Sequence, residues 1–118
     1  ICVLPDKGIV GVTNTTAEFV KYTHNTFLAL KNVFFNLVKD ACDERGYSYD
    51  EMSAVIARVS SLVGEAHTRV PGADGLRGFG GKCLPKDLDA FTAFIYHGKL
   101  RELLLFVGQY NTQIRGVC

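Results

Sequence analysis

The sequence predicts an all-α fold, in which one long helix packs against shorter helices around a glycine-rich loop. Three observations favour this class. Residues 15–45 contain neither proline nor glycine, two segments begin with residues typical of helix starts, and the alternation typical of strands is nearly absent. At 118 residues, the chain is long enough for one domain at most.

The long helix is predicted to begin at a capping box, formed by Thr15 and by Glu18 three positions later, and to end at Gly46. Apolar residues cover most of its circumference. Its polar residues fall instead on one narrow stripe: Glu18, Lys21, Asn25, Asn32 and Asn36. A helix that is apolar nearly all round is typically buried in something large. We therefore expect it to be the spine of an assembly.

A second helix is predicted from about Asp50 to Val59, because Ser48 and Glu51 form another capping box. The glycine-rich segment VPGADGLRGFGGKC follows at residues 70–83. Glycines at this density let backbone N–H groups approach a ligand more closely than side chains would allow.

Two more helices complete the predicted fold. Pro85 suits the first turn of a helix that ends at Gly98, and an apolar face predicts a last helix from about Leu100 to Ile114. We divide the chain into the tail of a preceding segment (1–14), a central domain (15–98) and the start of a connecting helix (99–118). Because the chain begins without methionine, we expect the natural start to lie upstream.

Composition argues against several classes of function. There are 13 Lys and Arg against 12 Asp and Glu, a formal net charge of +1, so nothing favours a nucleic-acid partner. No apolar run approaches the ~18 residues of a membrane span. The cysteines Cys2, Cys42, Cys83 and Cys118 lack metal-ligand spacing, so no metal site is expected. With no secretory signal pattern, we expect reduced thiols and a cytoplasmic protein.

Cys83 has the surroundings of a reactive thiol. Lys82 is adjacent, Lys86 follows three residues later, and the next helix is predicted to begin at about Pro85. Nearby positive charge and a helix N-terminus both lower the pKa of a cysteine and favour its nucleophilic thiolate. The alternative is a buried cysteine in a turn, which this setting disfavours.

Two familiar nucleotide motifs are absent. The letters GGKC resemble the end of a P-loop, but Leu76 stands where that motif needs its first glycine, and Cys83 replaces Ser or Thr. There is also no GxGxxG and no room for a strand–turn–helix dinucleotide unit. We do not expect this chain to build a nucleotide site alone.

Lys21 and Asn25 stand one helical turn apart and point the same way. Lys21 could be an ordinary exposed charge, or it could stabilise an oxyanion together with Asn25. Asp87 follows in the first turn of the helix after Cys83. It could act as a general base, or it could simply interact favourably with the helix dipole.

Two stretches together point to a family. TAEFVKYTHNTFLALKNVFFN at 16–36 and GFGGKCLPKDLDAF at 78–91 closely resemble the central domain of the UDP-glucose/GDP-mannose dehydrogenase family, and the resemblance extends over about residues 13–97. It implies an enzyme that oxidises the C6 alcohol of a nucleotide sugar to a carboxylate in two NAD-dependent steps. A cysteine of the family forms a thiohemiacetal and then a thioester, which water hydrolyses.

The resemblance also implies roles for individual residues. Cys83 would be the nucleophile, Lys21 would stabilise or protonate the developing alkoxide, and Asn25 would help to hold the same oxygens. Asp87 would assist water or orient the lysine. The segment from Cys83 to Lys86 would meet the nicotinamide end of NAD, and the sugar would lie along four loop residues: Gly78, Phe79, Gly80 and Gly81.

The family's central domain dimerises between an NAD-binding Rossmann domain and a nucleotide-binding domain. The resemblance therefore implies a homodimer through the helix at 15–45, and an isolated fragment that is inactive. UDP-glucose is the default substrate because the commonest members use it. Two other interpretations stay open: a dimerisation or scaffold module without turnover, and a redox-sensing thiol protein.

One departure from the family concerns residues 60–64, SSLVG. Many members have an arginine where this chain has Leu62, and that arginine reaches the partner subunit's sugar site. Arg69 or Arg77 could supply the missing positive charge. The loop before Cys83 is also longer than the shortest loops of the family.

Overall fold

The computed structural model describes residues 13–116, and its four elements are all helices: α1 (Asn14–Arg45), α2 (Tyr49–Val59), α3 (Leu84–Phe94) and α4 (Lys99–Arg115). No strand occurs within these residues. The predicted all-α class is therefore confirmed. The predicted tail at 1–14 falls almost wholly outside the described range, as do Cys2 and Cys118.

The predicted start of α1 is wrong by a short distance. Its N-cap is Thr13, whose Oγ1 accepts a hydrogen bond from the Thr16 N–H at 3.1 Å, so Thr15 lies inside the first turn. The predicted end is confirmed: Gly46 adopts a left-handed φ of 74°, which few other residues adopt at so little cost. With 32 residues, α1 is about 48 Å long.

The shorter helices follow the predictions with shifted ends. The Ser48 side chain caps α2 by accepting from the Glu51 N–H at 3.2 Å, as predicted. The predicted end of α3 at Gly98 is wrong, because the helix ends at Phe94. Arg101 of α4 donates hydrogen bonds to the carbonyls of Thr92 and Ile95. It thereby satisfies acceptors that another helical turn would have used.

Two apolar clusters hold the helices together, and α1 contributes to both. The larger cluster lies where α1 meets α3, α4 and the glycine-rich loop; its buried members are Ala29, Val33, Phe79, Leu88, Phe91, Leu104 and Val107. The smaller cluster joins the second half of α1 to α2 and to the start of the loop through Phe35, Cys42, Tyr49 and Val70. The loop is thus anchored in both clusters.

The polar stripe of α1 faces the rest of the chain, whereas much of its apolar surface is exposed. Asn25, Asn32 and Asn36 are buried at 3%, 6% and 1% exposure. In contrast, Phe27 and Phe34 are 61% and 56% exposed. A globular protein normally buries the aromatic side chains and exposes the amides, so these five positions have the reverse of the usual distribution.

Candidate active site

Aromatic contacts between α1 and α3 determine where the two helices meet. The ring of Phe91 on α3 contacts Phe19 edge-on, with centroids 5.4 Å apart, and lies 6.4 Å from the ring of Tyr22. Because Lys21 and Asn25 lie on the same turns of α1, this packing brings them alongside the first turn of α3.

Asp87 is the centre of a charged cluster at this junction. Its carboxylate is 1% exposed and accepts a hydrogen bond from Asn25 Nδ2 at 2.7 Å. Lys21 Nζ lies 3.9 Å from Oδ2, and Lys86 Nζ lies 3.7 Å from Oδ1. A buried carboxylate is costly unless it is hydrogen-bonded and paired with positive charge. Asp87 has both kinds of partner.

Cys83 is the N-cap residue of α3, one turn before Asp87. Its carbonyl accepts the Asp87 N–H at 2.9 Å, and its side chain makes no capping hydrogen bond. The residue is half-buried. Cys83 is disulfide-bonded in this structure, whereas Cys42 is free and buried. The expectation that the thiols are reduced is therefore corrected for Cys83, since a disulfide sulfur is not a thiolate.

The glycine-rich loop forms one wall of a cavity of about 510 Å³. Gly78, Gly80 and Gly81 line this cavity together with Leu84, the residue after Cys83. Phe79 lines it as well, yet the residue is only 5% exposed and belongs to the larger apolar cluster. Its side chain is therefore part of the core, and its backbone N–H and carbonyl are both hydrogen-bonded to Asn111.

Two side chains hold residues 63–70 in place, a segment whose residues Glu65, Ala66, His67 and Arg69 also line the cavity. Lys31 donates a hydrogen bond to the Val63 carbonyl, and the Tyr49 hydroxyl donates one to the Thr68 carbonyl. Burial raises the pKa of Tyr49 to about 12. Between these attachments lies His67, whose pKa is lowered by burial and by the positive charge of Lys31.

Arg69 and Arg77, either of which could supply the positive charge that is missing at Leu62, differ in their contacts. Arg77 is already engaged: it donates to the Asn36 side chain at 3.1 Å and pairs with Asp40 Oδ1 at 2.9 Å. Arg69 instead lines the cavity beside the glycine loop. Leu62 itself is 95% exposed.

Asp40 links this arrangement to α4. Tyr110 donates a hydrogen bond to Asp40 Oδ2 at 2.9 Å. Partial burial acts to raise the pKa of Asp40, but the hydrogen bonds from Arg77 and Tyr110 outweigh it, so the pKa is lowered. Burial and the bond to Asp40 together raise the pKa of Tyr110.

Three residues that the sequence did not single out hold the loop against α4: Asn111 and Arg115 of the helix, and Asp74 of the loop itself. Asn111 binds the Phe79 backbone, and Arg115 pairs with Asp74 at 2.7 Å. A signal for Asn111 was present, because an amide occurs on the same face of α4 as Leu104 and Val107. Such a polar residue on an apolar face is typically a buried hydrogen-bonding group.

Within residues 13–116, no helix is long and apolar enough to span a bilayer. The same part of the chain contains no group of three His, Cys, Asp or Glu residues that could hold a metal ion.

Curated relatives of the chain are nucleotide-sugar dehydrogenases. UDP-glucose 6-dehydrogenase of Rhizobium meliloti is 35% identical over 84 residues, which is 71% of this chain and 18% of that enzyme. For UDP-glucose 6-dehydrogenase of Rickettsia bellii the identity is 32% over 104 residues, 86% of this chain and 23% of the enzyme. GDP-mannose 6-dehydrogenase of Pseudomonas aeruginosa is 34% identical over 87 residues, which is 74% of this chain and 19% of that enzyme.

The chain thus spans about a fifth of the length of these relatives. No solved structure gave a significant match. Residues 15–113 match the UDP-glucose/GDP-mannose dehydrogenase family, central domain. Because that match covers most of the chain and extends into all four helices, the chain belongs to the UDP-glucose/GDP-mannose dehydrogenase family, in its central domain.

Proposed function

We propose that this chain is the central part of an NAD-dependent nucleotide-sugar 6-dehydrogenase that converts UDP-glucose to UDP-glucuronate in the cytoplasm. One observation carries the proposal: Lys21, Asn25 and Lys86 surround the buried Asp87 one turn after Cys83. The names of the relatives, most of which are UDP-glucose 6-dehydrogenases, support this choice of substrate.

The proposed chemistry assigns a task to each side chain. The Cys83 thiolate attacks the C6 aldehyde, so that an S–C bond forms and the carbonyl electrons move to oxygen. Lys21, whose side chain is 35% exposed, stabilises or protonates that oxygen, with Asn25 as a second donor. Asp87 orients Lys21 and assists the water that releases the acid. The reaction requires the thiol form of Cys83.

When bound, NAD would supply the hydride acceptor for the two oxidations. The residues of this chain fit its reactive end: Cys83 is half-buried at the N-terminus of α3, and the Lys86 side chain is 65% exposed. A helix N-terminus and a lysine both suit the negative charge of the pyrophosphate, which adjoins the nicotinamide riboside. Because the described residues contain no strand, a Rossmann unit for the adenine end would come from outside residues 13–116.

The test is a pair of cysteine substitutions in the full-length protein, assayed with reductant. Cys83→Ala is expected to abolish formation of UDP-glucuronate, by roughly 10⁴-fold or more, because the covalent step loses its nucleophile. Cys42→Ala, at the free buried cysteine of the smaller cluster, is the matched control and is expected to retain turnover. Undiminished turnover by Cys83→Ala would contradict the proposal.

We also propose that the chain forms a homodimer through α1. The exposed aromatic rings of Phe27 and Phe34, next to an apolar groove completed by Leu30, Leu62 and Val63, support a partner on this side of the helix.

The same surface favours a second candidate function, a dimerisation module without turnover. The two candidates differ in ligand binding. Sedimentation equilibrium combined with UDP-glucose titration of the full-length protein distinguishes them, because a stable dimer with no affinity for UDP-glucose would favour the module.

A further inference from the structure

Two side chains of α4 lie directly against the glycine-rich loop. The first is Asn111, which is 7% exposed. Its Oδ1 accepts a hydrogen bond from the Phe79 N–H at 2.7 Å, and its Nδ2 donates one to the Phe79 carbonyl at 2.9 Å. A single amide therefore satisfies both backbone groups of Phe79, as a neighbouring strand would.

Arg115, one turn further along α4, makes the second attachment. Its Nη1 donates to the Arg77 carbonyl at 3.1 Å, and its Nη2 donates to Asp74 Oδ2 at 2.7 Å. Only 13% of the Arg115 side chain is exposed. The hydrogen bond from Arg115 lowers the pKa of Asp74, so this contact is a charge-assisted one at neutral pH.

These two side chains occupy the space that a Cβ would need at Gly78 or at Gly80. A Cβ at Gly80 would lie 2.5 Å from Nη2 and 2.8 Å from Cζ of Arg115. A Cβ at Gly78 would lie 2.2 Å from Asn111 Oδ1. Favourable contacts between non-bonded heavy atoms need about 3.5 Å. At these two glycines the loop backbone therefore packs against side chains of α4, and these contacts link that cavity wall to the helix.

We infer that Arg115 and Asn111 are positioning residues of the candidate active site, which hold the loop backbone where a sugar packs against it. Neither residue touches the substrate in this scheme. The identity of the ligand rests on the proposed function, whereas the coupling between α4 and the loop rests on the contacts described above. The helix α4, which was predicted only as a connecting helix, thus also positions a wall of the site.

Two neighbouring glycines allow a matched test. Gly80 lies outside the left-handed region, and the three atoms nearest to an alanine Cβ there all belong to the Arg115 guanidinium. Gly81 has a φ of 85° and nothing within 4 Å of its Cβ position. An alanine there strains the backbone but meets no neighbour. The first substitution depends on Arg115, and the second does not.

In the full-length protein, Gly80→Ala and Gly81→Ala are each made in the wild-type background and in the Arg115→Met background. For every variant, kcat, KM for UDP-glucose and Tm are measured. Methionine keeps the aliphatic stem and vacates the guanidinium position. We expect Arg115→Met to raise KM about tenfold, with kcat within about twofold, because a displaced loop binds the sugar poorly. Gly80→Ala is expected to raise KM in the wild-type background and to cause no further rise in the Arg115→Met background. Gly81→Ala is expected to raise KM by the same factor in both backgrounds.

Equal effects of Gly80→Ala in the two backgrounds would overturn the inference, as would a lowered Tm with KM unchanged, which is the signature of a merely structural role. If Arg115→Met does not fold, Arg115→Lys replaces it, since one ammonium lacks the paired guanidinium donors that reach both Arg77 and Asp74.

Amide hydrogen exchange tests the coupling without turnover. Arg115→Met is expected to speed exchange of the Phe79 amide and to leave the middle of α1 unchanged. If the wild type does not oxidise UDP-glucose but this coupling is observed, the proposed function fails and the positioning of the loop stands. If the wild type oxidises UDP-glucose, but the effect of Gly80→Ala on KM does not depend on Arg115 and the exchange of the Phe79 amide is unchanged in Arg115→Met, the inference fails and the proposed function stands.

Discussion

The two sides of α1 differ in what they contact. On one side, Asn25, Asn32 and Asn36 are buried against α3 and the glycine-rich loop, and Asn25 and Asn36 bond to side chains or backbone far along the chain. On the other side, Phe27 and Phe34 are more than half exposed. The amide side supplies hydrogen bonds that determine where the site residues lie. The aromatic side supplies apolar area that nothing in the described part of the chain covers.

On the two sides of α1, burial within the domain therefore does not follow hydrophobicity. Amides are buried where they replace water with specific hydrogen bonds, and aromatic rings stay exposed where a second surface can cover them. Each side can be tested separately, because substitutions on one side should leave the other intact.

The largest effect is expected on the amide side, from Asn36→Leu. The Asn36 Oδ1 accepts hydrogen bonds from Arg77 Nε at 3.1 Å and from the Gly78 N–H at 3.2 Å. Leucine leaves both donors without this acceptor, so we expect the free energy of unfolding to fall by about 3 kcal/mol. Denaturant titration measures it. Glu44→Leu, at an exposed position of the same helix, is the control and should change stability by less than about 0.5 kcal/mol.

An intermediate effect is expected on the aromatic side, from Phe34→Ser. In a two-fold dimer both copies of the ring are lost from the interface, so self-association should weaken by about 2 kcal/mol, or about 30-fold in Kd. Sedimentation over a dilution series measures the change. Tyr96→Ser removes a ring that is 76% exposed on the connection between α3 and α4, and it should not alter association. An unchanged dimer in Phe34→Ser would exclude this side of α1 as the interface.

The smallest effect is expected from protonation of His67, which packs near Lys31 and His24 of α1. Burial and then these two neighbours lower its pKa below the ordinary 6.5. Because the unfolded chain takes up the proton at higher pH than the folded one, the stabilisation is complete above pH 6.5 and is lost as pH falls through the lowered pKa.

The free energy of unfolding, measured from about pH 7.5 to about pH 5, should therefore fall more in the wild type than in His67→Asn. Asparagine is chosen because it tolerates the left-handed φ of 62° at this position. His97→Asn, at an exposed histidine, should keep the wild-type dependence. If the free energy of unfolding depends on pH in the same way in the wild type and in His67→Asn, protonation of His67 does not contribute to the loss of stability.

The sequence by itself determined the features that local rules govern. The absence of glycine and proline from 15–45 predicted α1, Gly46 predicted its end, and Ser48 predicted the cap of α2. It also indicated the family, because two ordered stretches with distinctive residues are readable without any three-dimensional contact. The roles of Cys83 and Lys21 stay predictions that the experiments above address.

Only the tertiary structure decided which side of α1 is buried, which arginine is engaged, and that α4 holds the loop. These features depend on contacts between distant segments: Asn25 and Asp87 are 62 residues apart, Asn36 and Arg77 are 41, and Phe79 and Asn111 are 32. Helical periodicity shows that residues share a face, but not which neighbour that face will meet. Which segment packs against that face depends on how the whole chain packs, and a local sequence pattern carries no information about such distant contacts.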